Sequence, residues 1–222
     1  MPTDLAIETY LAIAAICFFS AAISGMAGFG GGIIISIFIA PIVGVKAIIP
    51  IMSILMLIVN GSRVVVYREG LDWRFVRIVS LTALPFVALG SYFYVYVDAA
   101  VVSCILGVTL ILSVPVRRAF AKRKMILGDK ALLMVGIPFG FLSGTTIGAG
   151  MLLVPVLLGA GLAGPALLAT DAFIAVLLNV VKMVIFRSSN VLSLDILAAG
   201  VVMGLCAIPG TYVAGWIVKR TS

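Results

Sequence analysis

Two glycine-rich segments carry side chains and backbone suited to holding an anion. They span residues 24–32 and 143–150, and each begins with a Ser-Gly pair. Glycine lets a ligand approach the backbone closely, and the free N–H groups at a helix start carry partial positive charge. We expect helices to begin near Gly32 and Gly150 and to face a shared anion. The candidate contacts in these segments are Ser24, Gly28, Gly30, Gly31, Ser143, Thr145, Thr146 and Gly148. The competing interpretation is packing, because small residues let membrane helices approach and hydroxyls often bond their own helix.

An amide and a cation recur three residues apart in each half of the chain. Asn60 precedes Arg63, and Asn179 precedes Lys182. Residues three apart share a helix face, so each pair could hydrogen-bond and neutralise an anion together. The alternative is that both cations, which lie near predicted helix ends, extend to the membrane surface. We therefore give the deeper asparagines the larger expected role.

Asp171 is the acid that lies well inside a predicted span. A carboxylate is expensive within a membrane, so Asp171 is a candidate for proton coupling. Solvation at a helix end is the alternative explanation. Asp171 precedes Lys182 by eleven residues, which is about 16 Å along a helix axis. We therefore expect no direct ion pair between these two residues.

The composition requires these residues to lie in a lipid bilayer. Of 222 residues, 64% are hydrophobic and 10% are charged, whereas a soluble domain is about half apolar and a quarter charged. About 20 apolar residues cross the hydrocarbon core. Five runs fit this length, at 46–67, 75–97, 99–116, 164–186 and 196–218. The sequence predicts an all-α, polytopic membrane protein that forms a single membrane domain over residues 1–222.

Two other apolar stretches, 5–45 and 131–162, are too long for one straight crossing. Each contains one glycine-rich segment, and a glycine inside a helix costs about 1 kcal/mol relative to alanine. We therefore predict that each stretch forms a helical hairpin broken at its glycines.

The chain contains an internal duplication. A shift of 119 residues brings five pairs into register: Ser24 with Ser143, Gly25 with Gly144, Asn60 with Asn179, Arg63 with Lys182, and Arg68 with Arg187. We predict repeat one at 1–116, a basic linker at 117–130 and repeat two at 131–222. If each hairpin enters and leaves on one side, the second repeat is inverted, as in many proteins that move solutes across membranes.

The positive charge, +7 overall, is segregated along this topology. One predicted side collects the linker with Arg68, Arg74, Arg77, Lys219 and Arg220; the other holds Lys46 and Arg187 with Asp4, Glu8, Asp98 and Asp195. Basic residues favour the cytoplasmic side. We expect a cytoplasmic linker and an N-terminus outside.

Several functional classes fit poorly. The chain has no histidine, and Cys17, Cys104 and Cys206 lie far apart in apolar runs, so we expect no enzyme, no metal site and no cofactor. Basic residues at segment ends indicate topology rather than nucleic-acid binding. The expected partners are the bilayer and a small anion. A purely structural scaffold would not explain polar residues repeated in both halves.

The order of the motifs resembles the sulfite exporter TauE/SafE family. The resemblance rests on both Ser-Gly segments, the two Asn-x-x-cation pairs, and Pro-Phe-Val-Ala-Leu-Gly at 85–90 and Pro-Gly-Thr-Tyr-Val-Ala-Gly at 209–215. It implies a bacterial inner-membrane permease, an exporter of sulfite, sulfonates or sulfoacetate. The paired inverted hairpins favour alternating access around a midplane site. A passive anion channel and a permease for another small anion stay open as alternatives.

One difference from the family concerns the C-terminal end. Such proteins usually continue with another helix after basic residues like Lys219 and Arg220, whereas this sequence stops at Ser222. We expect either a truncated chain or a homodimer contact in place of that helix.

Overall fold

The computed structural model describes residues 7–28, 30–122 and 128–221, and every regular element in them is helical. Phe29 of the first glycine segment and residues 123–127 of the predicted linker lie outside the described residues. The helices are α1 Ile7–Ala27, α2 Gly31–Val43, α3 Val45–Tyr67, α4 Trp73–Tyr96, α5 Ala99–Lys122, α6 Asp129–Thr145, α7 Gly150–Gly159, α8 Gly164–Ser188 and α9 Leu194–Thr221, with a short 3-10 turn at Arg68–Gly70.

Four helices in the described part of the chain are long and apolar enough to cross a membrane: Lys46–Gly70, Trp73–Tyr96, Gly164–Ser188 and Leu194–Arg220. They correspond to four of the five predicted spans, which confirms an all-helical polytopic protein. Two helices that follow the glycine breaks are shorter. α2 has 13 residues and α7 has 10, or about 20 and 15 Å of length at 1.5 Å per residue. Neither spans a core of about 30 Å.

Local sequence signals set several helix ends. Asp72 caps α4 by accepting the backbone N–H of Arg74 at 2.9 Å, as short acidic residues commonly do. α8 begins at Gly164 with proline in its first turn, where a missing N–H carries no penalty. Gly44, with a φ of 83°, separates α2 from α3.

Both glycine-rich segments interrupt the helices, but each break covers fewer residues than the sequence predicted. α1 continues through Ser24 to Ala27, and α6 continues through Ser143 to Thr145. Positive φ angles occur at the following glycines: 82° at Gly28, 95° at Gly30 and 91° at Gly148. Other residues rarely adopt this region, so glycine is needed where the chain turns.

The first break folds the chain back on itself. Gly31 packs against the end of α1, where an added Cβ would lie 2.7 Å from the carbonyl oxygen of Ser20 and 2.7 Å from the Cβ of Ser24. Ser20 precedes the end of α1 by about two turns. The start of α2 therefore runs back alongside α1, and the first half contains the broken hairpin that was predicted.

Helix pairing is the same in both halves under the 119-residue shift. α1 packs against α9, whereas α6, the counterpart of α1, packs against α4, the counterpart of α9. α3 and its counterpart α8 pack against each other. These two helices are antiparallel, because Gly70 after α3 contacts Ala166 at the start of α8. An inverted duplication requires this arrangement, although the duplication itself stays a prediction.

The glycines of the two Ser-Gly pairs serve this helix pairing. A Cβ on Gly144 would lie 2.5 Å from the carbonyl oxygen of Val87 in α4, and a Cβ on Gly25 would lie 2.6 Å from the Cβ of Ala214 in α9. Small residues permit such close approach in membranes. The neighbouring Ser24 and Ser143 are consequently held at fixed positions beside the two breaks.

Basic residues gather at one end of the helix bundle. Arg74 at the start of α4 pairs with Asp129 at the start of α6, with 2.6 Å between Nη2 and Oδ1, and Arg68 and Lys219 line one groove. The predicted linker is largely helical where it is described, because α5 extends to Lys122 and α6 begins at residue 129. The cluster of basic residues from which the orientation in the membrane was predicted is therefore found at one end of the bundle.

We expect the end that carries Arg74 and Asp129 to face the cytoplasm, because basic residues are retained on that side. In a variant lacking the three native cysteines, Lys130→Cys should resist an impermeant thiol reagent in intact cells. The control is Asp98→Cys between α4 and α5, at the opposite end; both positions are exposed, and Asp98→Cys should react. The reverse pattern of labelling would invert the topology.

Candidate anion-binding site

A cavity of about 120 Å³ lies between the two breaks and helices α3 and α8. This is several times the roughly 10–15 Å³ that one water molecule needs. The cavity gathers residues that are far apart in the sequence. The predicted site residues that line it are Ser24, Gly28, Gly30, Asn60, Arg63, Ser143, Thr146, Gly148, Asp171, Asn179 and Lys182.

Two candidates, Gly31 and Thr145, do not line the cavity. Gly31 packs against α1 instead, as described above. The hydroxyl of Thr145 donates to the carbonyl oxygen of Phe141 at 3.1 Å, within its own helix. The structure therefore gives these two residues packing and helix-bonding roles, in agreement with the alternative interpretation for small and hydroxyl residues.

The starts of the two short helices lie at the cavity. Gly30 and Gly32 line it at the start of α2, and Ala149 and Gly150 line it at the start of α7. Neither helix has a side-chain cap. The first N–H groups of a helix have no partner within the helix, and the helix dipole adds partial positive charge there. Together the two starts form a surface that favours an anion.

Arg63 is buried within the bundle and does not extend to the membrane surface. Only 2% of the residue is exposed. Its Nη1 donates to Oδ1 of Asn60 at 2.9 Å, and its Nη2 lies 3.3 Å from Oδ2 of Asp171. The interpretation that Arg63 snorkels is therefore wrong. The burial of this charge is offset by two partners that lie on different helices.

Asp171 is likewise buried, with 3% of the residue exposed. Helix-end solvation is therefore the wrong explanation for this acid. Its partner is Arg63 rather than Lys182, as the long separation from Lys182 along α8 predicted. No periodicity links Arg63 to Asp171, because 108 residues separate them. The one signal available was general: a charge buried in a membrane protein needs an opposite charge.

Lys182 is the cation of the cavity that no acid neutralises. It lines the cavity and is partly exposed. The described residues form two ion pairs, Arg63 with Asp171 and Arg74 with Asp129, and Lys182 belongs to neither. Its positive charge is therefore available to a ligand.

Two residues that line the cavity also carry buried polar atoms that have no hydrogen-bond partner among the described residues. The Nδ2 of Asn179 donates to the carbonyl oxygen of Ala175 at 2.8 Å, which leaves its buried Oδ1 without a partner among the described residues. The Nε of Arg63 is buried and unpaired as well. An unsatisfied buried group costs about 1–3 kcal/mol. The oxygen of an anion can accept a hydrogen bond from the Nε of Arg63, whereas the Oδ1 of Asn179 is itself an acceptor and needs a donor.

A comparison with known protein families finds one match. The family described as sulfite exporter TauE/SafE matches residues 13–222, nearly the whole chain. The chain belongs to this family. No curated protein and no solved structure matches it. Since TauE/SafE proteins are membrane transporters, the prediction that the chain is not an enzyme is confirmed, and it is a multi-pass transport protein.

Sequence reasoning missed the apolar part of the cavity of this TauE/SafE protein. Met52 and Met56 from α3 line one side, and Phe139, Ile147 and Leu178 contribute elsewhere. These residues stand in long apolar runs, where nothing in their spacing separates a cavity-lining side chain from a lipid-facing one. Under the 119-residue shift, Met52 is the counterpart of Asp171, so the two halves of the cavity differ in charge.

Proposed function

We propose that this TauE/SafE protein exports small sulfur-containing anions, such as sulfite, sulfonates or sulfoacetate, across a bacterial inner membrane. The observation that carries the proposal is the cavity between the two glycine breaks. It combines two uncapped helix starts with two asparagines and a cation that no acid neutralises.

The groups around the cavity suit a sulfonate or sulfite. A sulfonate presents three acceptor oxygens and one negative charge. Backbone N–H groups, the Asn60 amide and the free Nε of Arg63 can donate to such oxygens, and Lys182 supplies a full positive charge. The Asn60 carbonyl oxygen is held by Arg63 at 2.9 Å, which leaves its NH2 group for the ligand.

Alternating access fits this arrangement better than a passive channel. The cavity is lined from both halves, and the antiparallel helices α3 and α8 contribute corresponding residues to it. Broken helices around one central site are common in transporters that rock one half against the other. Asp171 is the proposed proton-coupling group, because protonation of its carboxylate would weaken its hold on Arg63 beside the ligand.

Flux measurements in proteoliposomes test the proposal. Radiolabelled sulfite and a sulfonate should cross the bilayer with saturation and with mutual competition, with and without an imposed pH gradient. Flux that rises linearly with concentration would indicate a channel. A protein that moves neither compound, but carries another small anion, would contradict the proposed substrate class.

Truncating either asparagine should weaken anion binding. We expect Asn60→Ala and Asn179→Ala each to reduce affinity by about 1–3 kcal/mol, the cost of losing one buried polar partner. Ser188→Ala is the control: its hydroxyl bonds its own helix at 2.9 Å on the exposed end of α8, and we expect no change there. Binding is measured by calorimetry on purified protein. Wild-type affinity in both asparagine variants would place the ligand elsewhere.

A further inference from the structure

The charges around the cavity do not cancel. Among the described residues that line it, three are ionisable as acid or base: Arg63, Asp171 and Lys182. Arg63 and Asp171 neutralise each other across 3.3 Å. Lys182 remains, so the cavity carries one net positive charge.

The imbalance arises from a difference between the two halves. Under the 119-residue shift, Arg63 corresponds to Lys182 and Asp171 corresponds to Met52. Both Met52 and Lys182 line the cavity. The first-half cation thus has an acid opposite it in the second half, whereas the second-half cation has a thioether in the corresponding place. If each cation had an acid in the corresponding place, the net charge of the cavity would be zero. If neither cation had one, the net charge would be two.

We propose that Asp171 in its ionised form sets the net charge of the cavity at one and thereby makes the transporter select monovalent anions over divalent ones. This inference rests on the proposed function, since it concerns the same cavity. The substrates it admits are organic sulfonates and the singly charged form of sulfite, and sulfate is rejected.

The physical basis is compensation of charge in a low-dielectric site. A buried charge without an opposite charge is strongly disfavoured. A monovalent anion is matched by Lys182, with the helix starts adding partial charge. A divalent anion would need a second cation, but Asp171 already holds the guanidinium group of Arg63. Removing the negative charge at position 171 would release that cation for the ligand.

Binding of methanesulfonate, nitrate and sulfate to purified protein tests this assignment, with stabilisation against heat as the readout. In the wild type, methanesulfonate should bind more tightly than sulfate. Asp171→Asn keeps the size of the side chain and removes its charge, and it should shift the preference toward sulfate by about tenfold or more, which corresponds to about 1.4 kcal/mol. The double variant Arg63→Gln/Asp171→Asn restores one net charge and should restore the wild-type preference.

A second pair of variants leaves the Arg63–Asp171 contact intact, in case Asp171→Asn does not fold. Met52→Asp places an acid where Lys182 lacks one, and it should weaken binding of methanesulfonate about tenfold. Met52→Asn, which is matched in size but neutral, should have a much smaller effect.

The outcomes separate this inference from the proposed function. A folded Asp171→Asn variant with the wild-type preference, or wild-type affinity in Met52→Asp, would overturn the role of Asp171. If the wild type binds nitrate but no sulfur anion, the proposed substrate is wrong. The selection of monovalent over divalent anions is then tested by comparing the affinities for nitrate and sulfate in the wild type and in Asp171→Asn. If the wild type binds no anion, both fail.

Discussion

Replacing Arg63 with methionine should lower the free energy of unfolding by about 3–5 kcal/mol, the range found when one partner of a buried ion pair is removed. The substitution leaves the carboxylate of Asp171 buried without an opposite charge, and it removes the donor to Asn60 at 2.9 Å. Unfolding in mixed detergent micelles measures the change. Transport should be lost in the same variant, because the cavity loses one of its two cationic residues.

Two comparisons make this result specific. Arg68→Met alters an exposed arginine directly after the last residue of α3 and should leave stability within about 0.5 kcal/mol. The double variant Arg63→Met/Asp171→Leu removes both buried charges and should recover most of the stability, since apolar replacement of a whole buried pair is often neutral. If the single and double variants are equally unstable, the ion pair is not the cause.

Substituting alanine for Gly30 should abolish most of the transport activity, with a loss of at least about tenfold. Gly30 precedes α2 with a φ of 95° and lines the cavity. A Cβ there has no atom within 4 Å, so it fits without a clash but occupies the space through which a ligand reaches the helix start. Initial rates of sulfonate flux measure the effect.

Gly44 provides a matched control at the other end of α2. Its φ is 83°, an added Cβ also has no atom within 4 Å, and it does not line the cavity. Gly30→Ala should lose about 1–2 kcal/mol of stability, the cost of the left-handed conformation with φ 95° and ψ -27°. Gly44→Ala should lose at least as much, because a φ of 83° with a ψ of 156° is a conformation that residues other than glycine rarely adopt. Equal losses of transport in the two would show that backbone strain, and not access to the helix start, is responsible.

The sequence was sufficient for the architecture because hydrophobic length dominates in a membrane. The run at 164–186 became α8 with a shift of two residues at its end, and the glycine clusters marked both breaks. The ends of α5 and α6 were harder to place. Basic residues at 117–122 continue a helix, because lysine and arginine are good helix formers once outside the hydrocarbon core.

The candidate site was predictable in its residues but not in its contacts. The repeated Asn-x-x-cation pattern identified the cavity face of α3 and α8, because the residues that correspond under the 119-residue shift line the same cavity. The pattern did not distinguish Arg63, which is paired with Asp171, from Lys182, which is not. That difference depends on how two helices cross, and residue spacing within one helix carries no information about the crossing.

The packing of α1 against α9 and of α4 against α6 constrains the order in which the helices assemble during synthesis. Synthesis proceeds from the N-terminus, yet α1 packs against α9, which leaves the ribosome after α4 and α6. Until then, the surface of α1 around Gly25 faces lipid instead of Thr211 and Ala214. α6 can therefore pack against α4 before α9 is made, whereas this face of α1 is covered only after α9 has entered the membrane.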